Sequence, residues 1–184
     1  MKKMLIGSVA LAVVVGMAVL QAQQPGQPQP AKEHQWLQQL VGEWETEAEI
    51  VVQPGQPPVS GKGTESVRSL GGFWTLSEVQ ATFFDQPLTG IMTLGYDPEK
   101  KRYVGTWIDS MSHHLWQYGG WLDEVGRVLT LEAEGPNMIA PGTTARFRET
   151  IEIKSKDNRV FTSSIEVEPG KWQTFLTVHY RRKS

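Results

Sequence analysis

Ten times between Trp44 and Arg182 the chain alternates apolar and polar residues with a period of two, and turn residues separate nearly all of these runs. The clearest is WETEAEIVV, residues 44–52, in which Trp44, Thr46, Ala48 and Ile50 alternate with Glu45, Glu47 and Glu49. Successive side chains of a strand point to opposite faces, so such a run predicts a strand with one buried and one wet face. The others are Gly63–Leu70, Phe73–Phe83, Thr89–Tyr96, Arg102–Ile108, His113–Leu122, Val128–Glu134, Thr143–Lys154, Arg159–Val167 and Trp172–Arg182. Between them stand QPGQPP, LGG, DQP, DPEK, DEVG, GPNMIAPG, KDN and EPG, rich in the residues that turns require. Ten consecutive strands with short connections predict an all-β, up-and-down antiparallel meander, and closing it into a barrel removes its exposed edges. A two-sheet sandwich is the alternative.

Helical spacing is convincing only in KEHQWLQQLVGEW, where Trp36, Leu37, Leu40 and Val41 form one apolar face and Gly42 stops the helix. This short N-terminal helix is expected to cap one end of the barrel. Upstream, Lys2 and Lys3 precede an uncharged apolar run from Met4 to Leu20. That is the pattern of a secretory signal peptide, residues 1–22, cleaved after Ala22. The run is short for a membrane span and no basic cluster follows it, so no span is expected in the mature chain; an uncleaved leader would act as an N-terminal anchor. Residues 23–30, QQPGQPQP, read as a Pro/Gln-rich linker, and residues 31–184 as the barrel domain. The expected location is therefore periplasmic or extracellular.

Composition narrows the chemistry. There is no cysteine, which removes disulfides, zinc thiolates and a thiol nucleophile. The net charge of −2 becomes more acidic when Lys2 and Lys3 leave with the leader, and no basic run is present, so nucleic acid is not an expected partner. Seven tryptophans in 184 residues are many. The sequence carries no signal of oligomeric state.

The segment LVGEW, with Gly42, Glu43 and Trp44 opening the first strand after a short helix, resembles the Gly-x-Trp start of the calycin superfamily of lipocalins and fatty-acid-binding proteins. That resemblance implies a barrel floor plugged by Trp44, with Arg181 or Arg182 of the last strand lying across it. From His34 to Lys183, the stretches EHQWLQQLVGEW, GTESVRSLGGFW, IMTLGYDPEKKRYVGTWIDSM, LTLEAEGP and TVHYRRK are similar to the often exported bacterial domain of unknown function fifteen seventy-nine. That family implies the barrel and no particular activity. The ending VHYRR also resembles nitrobindin-like haem barrels, whose haem-ligating histidine lies earlier on the strand; the corresponding stretch here, Phe175–Thr177, has none. No cofactor is expected, with haem the minor alternative.

The stretch DSMSHHLWQY, residues 109–118, pairs His113 with His114 beside Trp116 and Tyr118. On a strand the two histidines face opposite ways and cannot converge on one ion, so no metal site is expected. With Ser110 and Met111 as a two-residue loop, Trp107 stands opposite His114 and Gly105 opposite Trp116, and Trp107, His114, Trp116 and Tyr118 share a face. This cluster is either packed core or the wall of a ligand cavity. His179 and Tyr180 on the last strand are secondary ligand-binding candidates. Arg146 and Arg148 alternate with Phe147 and point outward on the simplest reading. No catalytic motif is present, and His113 or His114 with Asp109 is the available acid/base pair. The function expected is binding or carriage of a small apolar or amphiphilic ligand inside the barrel. The alternatives are an isomerase or hydrolase acting on an apolar substrate in the same cavity, or a filled barrel serving as an interaction module.

Overall fold

A computed structural model of the chain describes residues 28–53 and 55–184. The leader assigned to residues 1–22 and most of the linker at 23–30 lie outside the described residues. A short helix, α1 (Lys32–Leu37), runs into a 3-10 turn at Gln38–Leu40. Ten strands follow: β1 (Gly42–Ile50), β2 (Val59–Leu70), β3 (Trp74–Phe83), β4 (Gln86–Asp97), β5 (Arg102–Asp109), β6 (Trp116–Leu122), β7 (Val128–Pro136), β8 (Thr144–Ser155), β9 (Asn158–Glu168) and β10 (Lys171–Arg182). Each pairs antiparallel with its neighbours in sequence, and β1 pairs with β10 from Trp44↔Arg182 to Ile50↔Leu176, closing the barrel. The sandwich alternative is thereby set aside. No helix among the described residues is long and apolar enough to cross a membrane.

The strands form where period-two alternation supplies an inner face, and β1 shows it directly, with Trp44, Thr46 and Ala48 buried and Glu45, Glu47 and Glu49 exposed. The connection between β5 and β6 departs from the sequence reading. The expected two-residue loop is six residues long, 110–115, and Trp107 pairs with Trp116 rather than with His114. Local hydrogen bonds explain this: Asp109 Oδ1 accepts from Met111 N–H at 2.8 Å and Ser112 Oγ from His114 N–H at 3.1 Å, offering the backbone a turn in place of a ladder. The shift is by two positions, so Trp107, Trp116 and Tyr118 keep a common face.

One end of the barrel is shut. Trp36 and Leu37 of α1 and Leu40 after it are buried, and Trp36 Nε1 donates to Gly126 O at 2.9 Å. His34 is the hinge of this cap. Its Nδ1 accepts from Ala31 N–H at 3.0 Å, which leaves Nε2 to donate to Tyr96 O at 3.1 Å and so ties the helix to β4. Trp44, 1% exposed, donates from Nε1 to Leu40 O at 2.8 Å. The Arg182 guanidinium lies 4.1 Å from its ring centre and donates to the carbonyls of Val41 and Gln39. Gly42 makes this possible. Its φ is +134°, and a Cβ there would stand 2.2 Å from Arg182 Nη1. Arg181, the other candidate for the floor, faces outward and pairs with Glu45 at 2.5 Å, because neighbours on a strand alternate.

Gly42→Ala is expected to destabilise the fold by about 1–3 kcal/mol, because it imposes both the φ penalty and the displacement of Arg182. Gly126→Ala carries a positive φ of 76° with nothing within 4 Å of the new Cβ, and serves as the control for the backbone cost alone. Thermal melts of the two variants should differ, with Gly42→Ala lower. Equal midpoints would mean that seating Arg182 is not what the glycine provides.

Candidate functional site

Above the floor the interior is hollow. A cavity of about 300 Å³ lies between the walls, lined by inward residues of nine strands and by Met138 of the loop after β7. That volume is at the lower end of the range for small-molecule sites. Two of its walls are indoles laid over glycines. Trp107 occupies the space where a Cβ on Gly90 would stand 2.1 Å from the ring, and Trp116 does the same over Gly135 at 2.3 Å. Trp107 is fixed further by donating Nε1–H to Asp109 Oδ2 at 2.9 Å. Trp116 packs edge-on against Phe147, ring centres 4.8 Å apart, and Phe147 in the same manner against Phe175 at 6.2 Å.

The base of the cavity is charged but balanced. Glu65 of β2 and Arg159 of β9 form an ion pair across the barrel, their side chains only 5% and 4% exposed, and Ser77 donates a further hydrogen bond to Glu65. The Arg159 guanidinium stacks 3.9 Å from the Tyr180 ring centre and 4.7 Å from that of Trp44. Burial lowers its pKa to about 10, with Tyr180 opposing and Arg182 adding to the shift, so it stays charged at neutral pH. Together these residues separate the cavity from the plug beneath.

Glu149 stands apart from that balance. It faces inward between Phe147 and Ile151 on β8, is 5% exposed and lines the cavity. Its Oε1 accepts from Ser163 Oγ at 3.0 Å, while Oε2 has no hydrogen-bond partner among the described residues. Burial without a cation raises its pKa to about 8, with the Ser163 hydrogen bond working against the shift. Nearby, burial raises the Tyr118 hydroxyl well above its ordinary value, helped by Glu149 and Asp109.

Of the ligand-binding candidates read from the sequence, Trp107, Trp116, Tyr118 and Tyr180 stand on the cavity lining. His114 does not. It sits in the 110–115 loop, stacked edge-on against Trp116 at 4.8 Å, with Nε2 3.4 Å from Glu134 O. His179 points outward, since Tyr180 next to it points in. Neither histidine of the pair hydrogen-bonds Asp109, so the acid/base pair is not assembled. Arg146 and Arg148 are outside, bonded to Glu132 and set against the Trp172 ring. A haem ligated by histidine does not fit these walls, because Phe175 and Leu176 line the cavity and no histidine does.

Glu65, Glu149 and Arg159 escaped the sequence reading. Glu149 was within reach of it, since Phe147 and Ile151 facing inward place Glu149 on the same face. Glu65 likewise shares a face with Gly63 and Val67, and Arg159 with Phe161 and Ser163.

The end opposite the helix is ringed by apolar side chains. Val51 and Val52 are exposed after β1, Phe84 between β3 and β4, Met111 and Leu115 between β5 and β6, and Met138 and Ile139 between β7 and β8. Phe84 is 54% exposed and, with Asp85, adopts positive φ in a two-residue hairpin turn. That conformation favours glycine or asparagine over a bulky aromatic residue.

A model of the family described as "Protein of unknown function (DUF1579)" matches residues 29–182. No curated protein matches the sequence. Among solved structures, that of Rv2717c from M. tuberculosis is similar at 15% identity and a TM-score of 0.58, over 85% of this chain and 100% of that one. The S-type phycobiliprotein lyase CPES from Guillardia theta is similar at 14% identity and a TM-score of 0.55, over 85% of this chain and 99% of that one. At these identities the likeness is one of fold.

The position of Glu149 has a thermodynamic consequence. An ordinary glutamate ionises near pH 4.5 and Glu149 in the barrel near 8. Between those values the folded protein holds a proton that the unfolded chain has released, so stability falls as pH rises from about 4.5 to about 8, by at most ~1.4 kcal/mol per pH unit. Glu149→Gln removes this contribution. Urea midpoints taken across that range should decline less steeply in the variant than in the wild type, and parallel slopes would show that Glu149 ionises as an exposed glutamate does.

Proposed function

The chain belongs to the DUF1579 family of proteins of unknown function, and from that premise we propose that its barrel binds or carries a small apolar or amphiphilic molecule in the interior. One observation carries this reading: a cavity of about 300 Å³ walled by Trp107, Trp116, Phe147, Phe161 and Phe175, whose accessible lining surface is mostly apolar although charged groups gather at its base. Affinity comes from removing apolar ligand surface from water, at about 25 cal/mol per Å² before the costs of association. The apolar loop tips at the open end support the same reading, since a water-insoluble molecule passing them stays in contact with apolar groups throughout entry.

Export belongs to the proposal and rests on the leader-like residues 1–22, followed by the linker at 23–30 and the domain at 31–184. In this reading the protein works outside the cytoplasm, and N-terminal sequencing of protein from the envelope or medium should begin at Gln23. A start at Met1 would mean the leader is retained as an anchor. The calycin affinity belongs here as well, supported by Gly42, Trp44 and the Arg182 side chain laid across the floor.

The binding test uses mature protein purified gently from its own source and examined by native mass spectrometry, together with titration by the uncharged apolar dye N-phenyl-1-naphthylamine (NPN). A small companion released on denaturation, or saturable 1:1 dye binding that quenches tryptophan fluorescence, is expected. Ala81→Phe projects a ring into the cavity from β3 and should weaken dye binding by about tenfold or more with the far-UV spectrum unchanged. A protein without a companion and without saturable dye binding would be a filled barrel or a surface module, and the proposal would fall.

A further inference from the structure

We propose that Glu149 anchors the head of an uncharged amphiphile by donating its carboxyl proton to a carbonyl oxygen or comparable acceptor. This rests on the reading that the cavity takes a small apolar or amphiphilic molecule, and it names the class.

The geometry makes Glu149 unlike the other charged groups of the lining. Glu65 is satisfied by Arg159 and Ser77, and Asp109 by Trp107 Nε1 and Met111 N. Lys62, near the open end, is paired with Glu47 at 3.5 Å. Among the described residues two buried side-chain atoms lack a partner: Arg159 Nε, on a guanidinium already paired with Glu65, and Glu149 Oε2, on a carboxyl with no counter-charge. The ladder neighbours of Glu149 are Leu131 on β7 and Ser163 on β9, and the second is already engaged through Oε1. The titratable groups sharing the cavity are Lys62 and Glu65 on β2, Asp109 on β5, Tyr118 on β6, Arg159 on β9 and Tyr180 on β10, and none of them hydrogen-bonds Glu149.

Electrostatics then selects the head group. A buried carboxyl with no cation beside it is neutral, and burial holds Glu149 in that form at neutral pH. With Oε1 accepting from Ser163, a neutral Glu149 carries its proton on Oε2, and in that arrangement Oε2 is a donor without an acceptor. A carbonyl oxygen meets that need and brings no charge into the cavity. An anionic head does not suit the site, because Arg159 is already neutralised and a second carboxylate would face Glu65 as well as Glu149. An ammonium head would have to shed its water and expel the Glu149 proton before it gained a partner. Tyr118 is also on the lining, and burial holds its hydroxyl protonated, so the cavity has a second neutral donor.

The test compares four probes with the same eight-carbon chain, octane, 2-octanone, octylamine and octanoate, in competition with NPN on the full mature protein. The ketone is expected to bind about tenfold more tightly than octane. Its advantage should persist in Glu149→Gln, which keeps a neutral donor, and vanish in Glu149→Leu, from which octane still displaces NPN. Raising the pH beyond about 8 should weaken the ketone and leave octane unchanged. Equal binding of ketone and octane to the wild type, or an advantage that survives in Glu149→Leu, would overturn the anchor while leaving the cavity reading intact. Preference for octylamine or octanoate would overturn the neutral class. Failure of all four probes together with NPN would instead overturn the binding reading on which the anchor rests.

Discussion

Pairing of β1 with β10, from Trp44↔Arg182 to Ile50↔Leu176, is the contact on which everything else in this molecule depends. It joins the two ends of a linear meander and thereby satisfies the backbone groups of what would otherwise be two edge strands. Closure also fixes the girth. A ten-stranded ring encloses more space than its inward side chains fill, and the surplus is the cavity. The hollow is thus a consequence of strand number, and the residues within it determine only its shape and polarity.

Two different solutions to buried polarity coexist inside. At the base, Glu65 and Arg159 neutralise one another across the barrel, and the guanidinium is further held by the faces of Tyr180 and Trp44. Such a pair costs desolvation and stabilises only when its remaining hydrogen-bonding capacity is met, as Ser77 does for Glu65. Higher on the wall, Glu149 takes the other course and remains a neutral acid. The first arrangement belongs to the floor, where the two charges cancel although Arg159 Nε has no hydrogen-bond partner among the described residues. The second leaves a carboxyl oxygen, Glu149 Oε2, with neither a counter-charge nor a partner.

How much of this can be read from the amino acids depends on the range of the interaction concerned. Strand number and the inner faces follow from alternation within each run, a local property, and Trp44 with its Gly42 is legible as a motif. The 110–115 loop departs from the strand pattern because Asp109 and Ser112 capture backbone N–H groups there, and side chains that compete with a ladder are hard to weigh from composition alone. His114 consequently left the wall although its strand neighbours kept their face. The Glu65–Arg159 pair was out of reach for another reason, since its partners lie on β2 and β9, strands that are not adjacent in the barrel and stand 94 residues apart in the chain. Glu149 and the outward course of His179 were both implied by simple parity along β8 and β10, and following the alternation to its end would have given them.

The ends of the barrel are unequal. One is bolted by Trp44, Arg182 and the N-terminal helix, while the other is framed by loop tips such as Phe84, Met111 and Met138. The molecule is therefore a blind cup and not a conduit, and any guest must depart past the same loops that admitted it. For the proposed guest, the path out and the path in are then the same, and the lip residues that frame it are separate from the ten paired strands that hold the fold together.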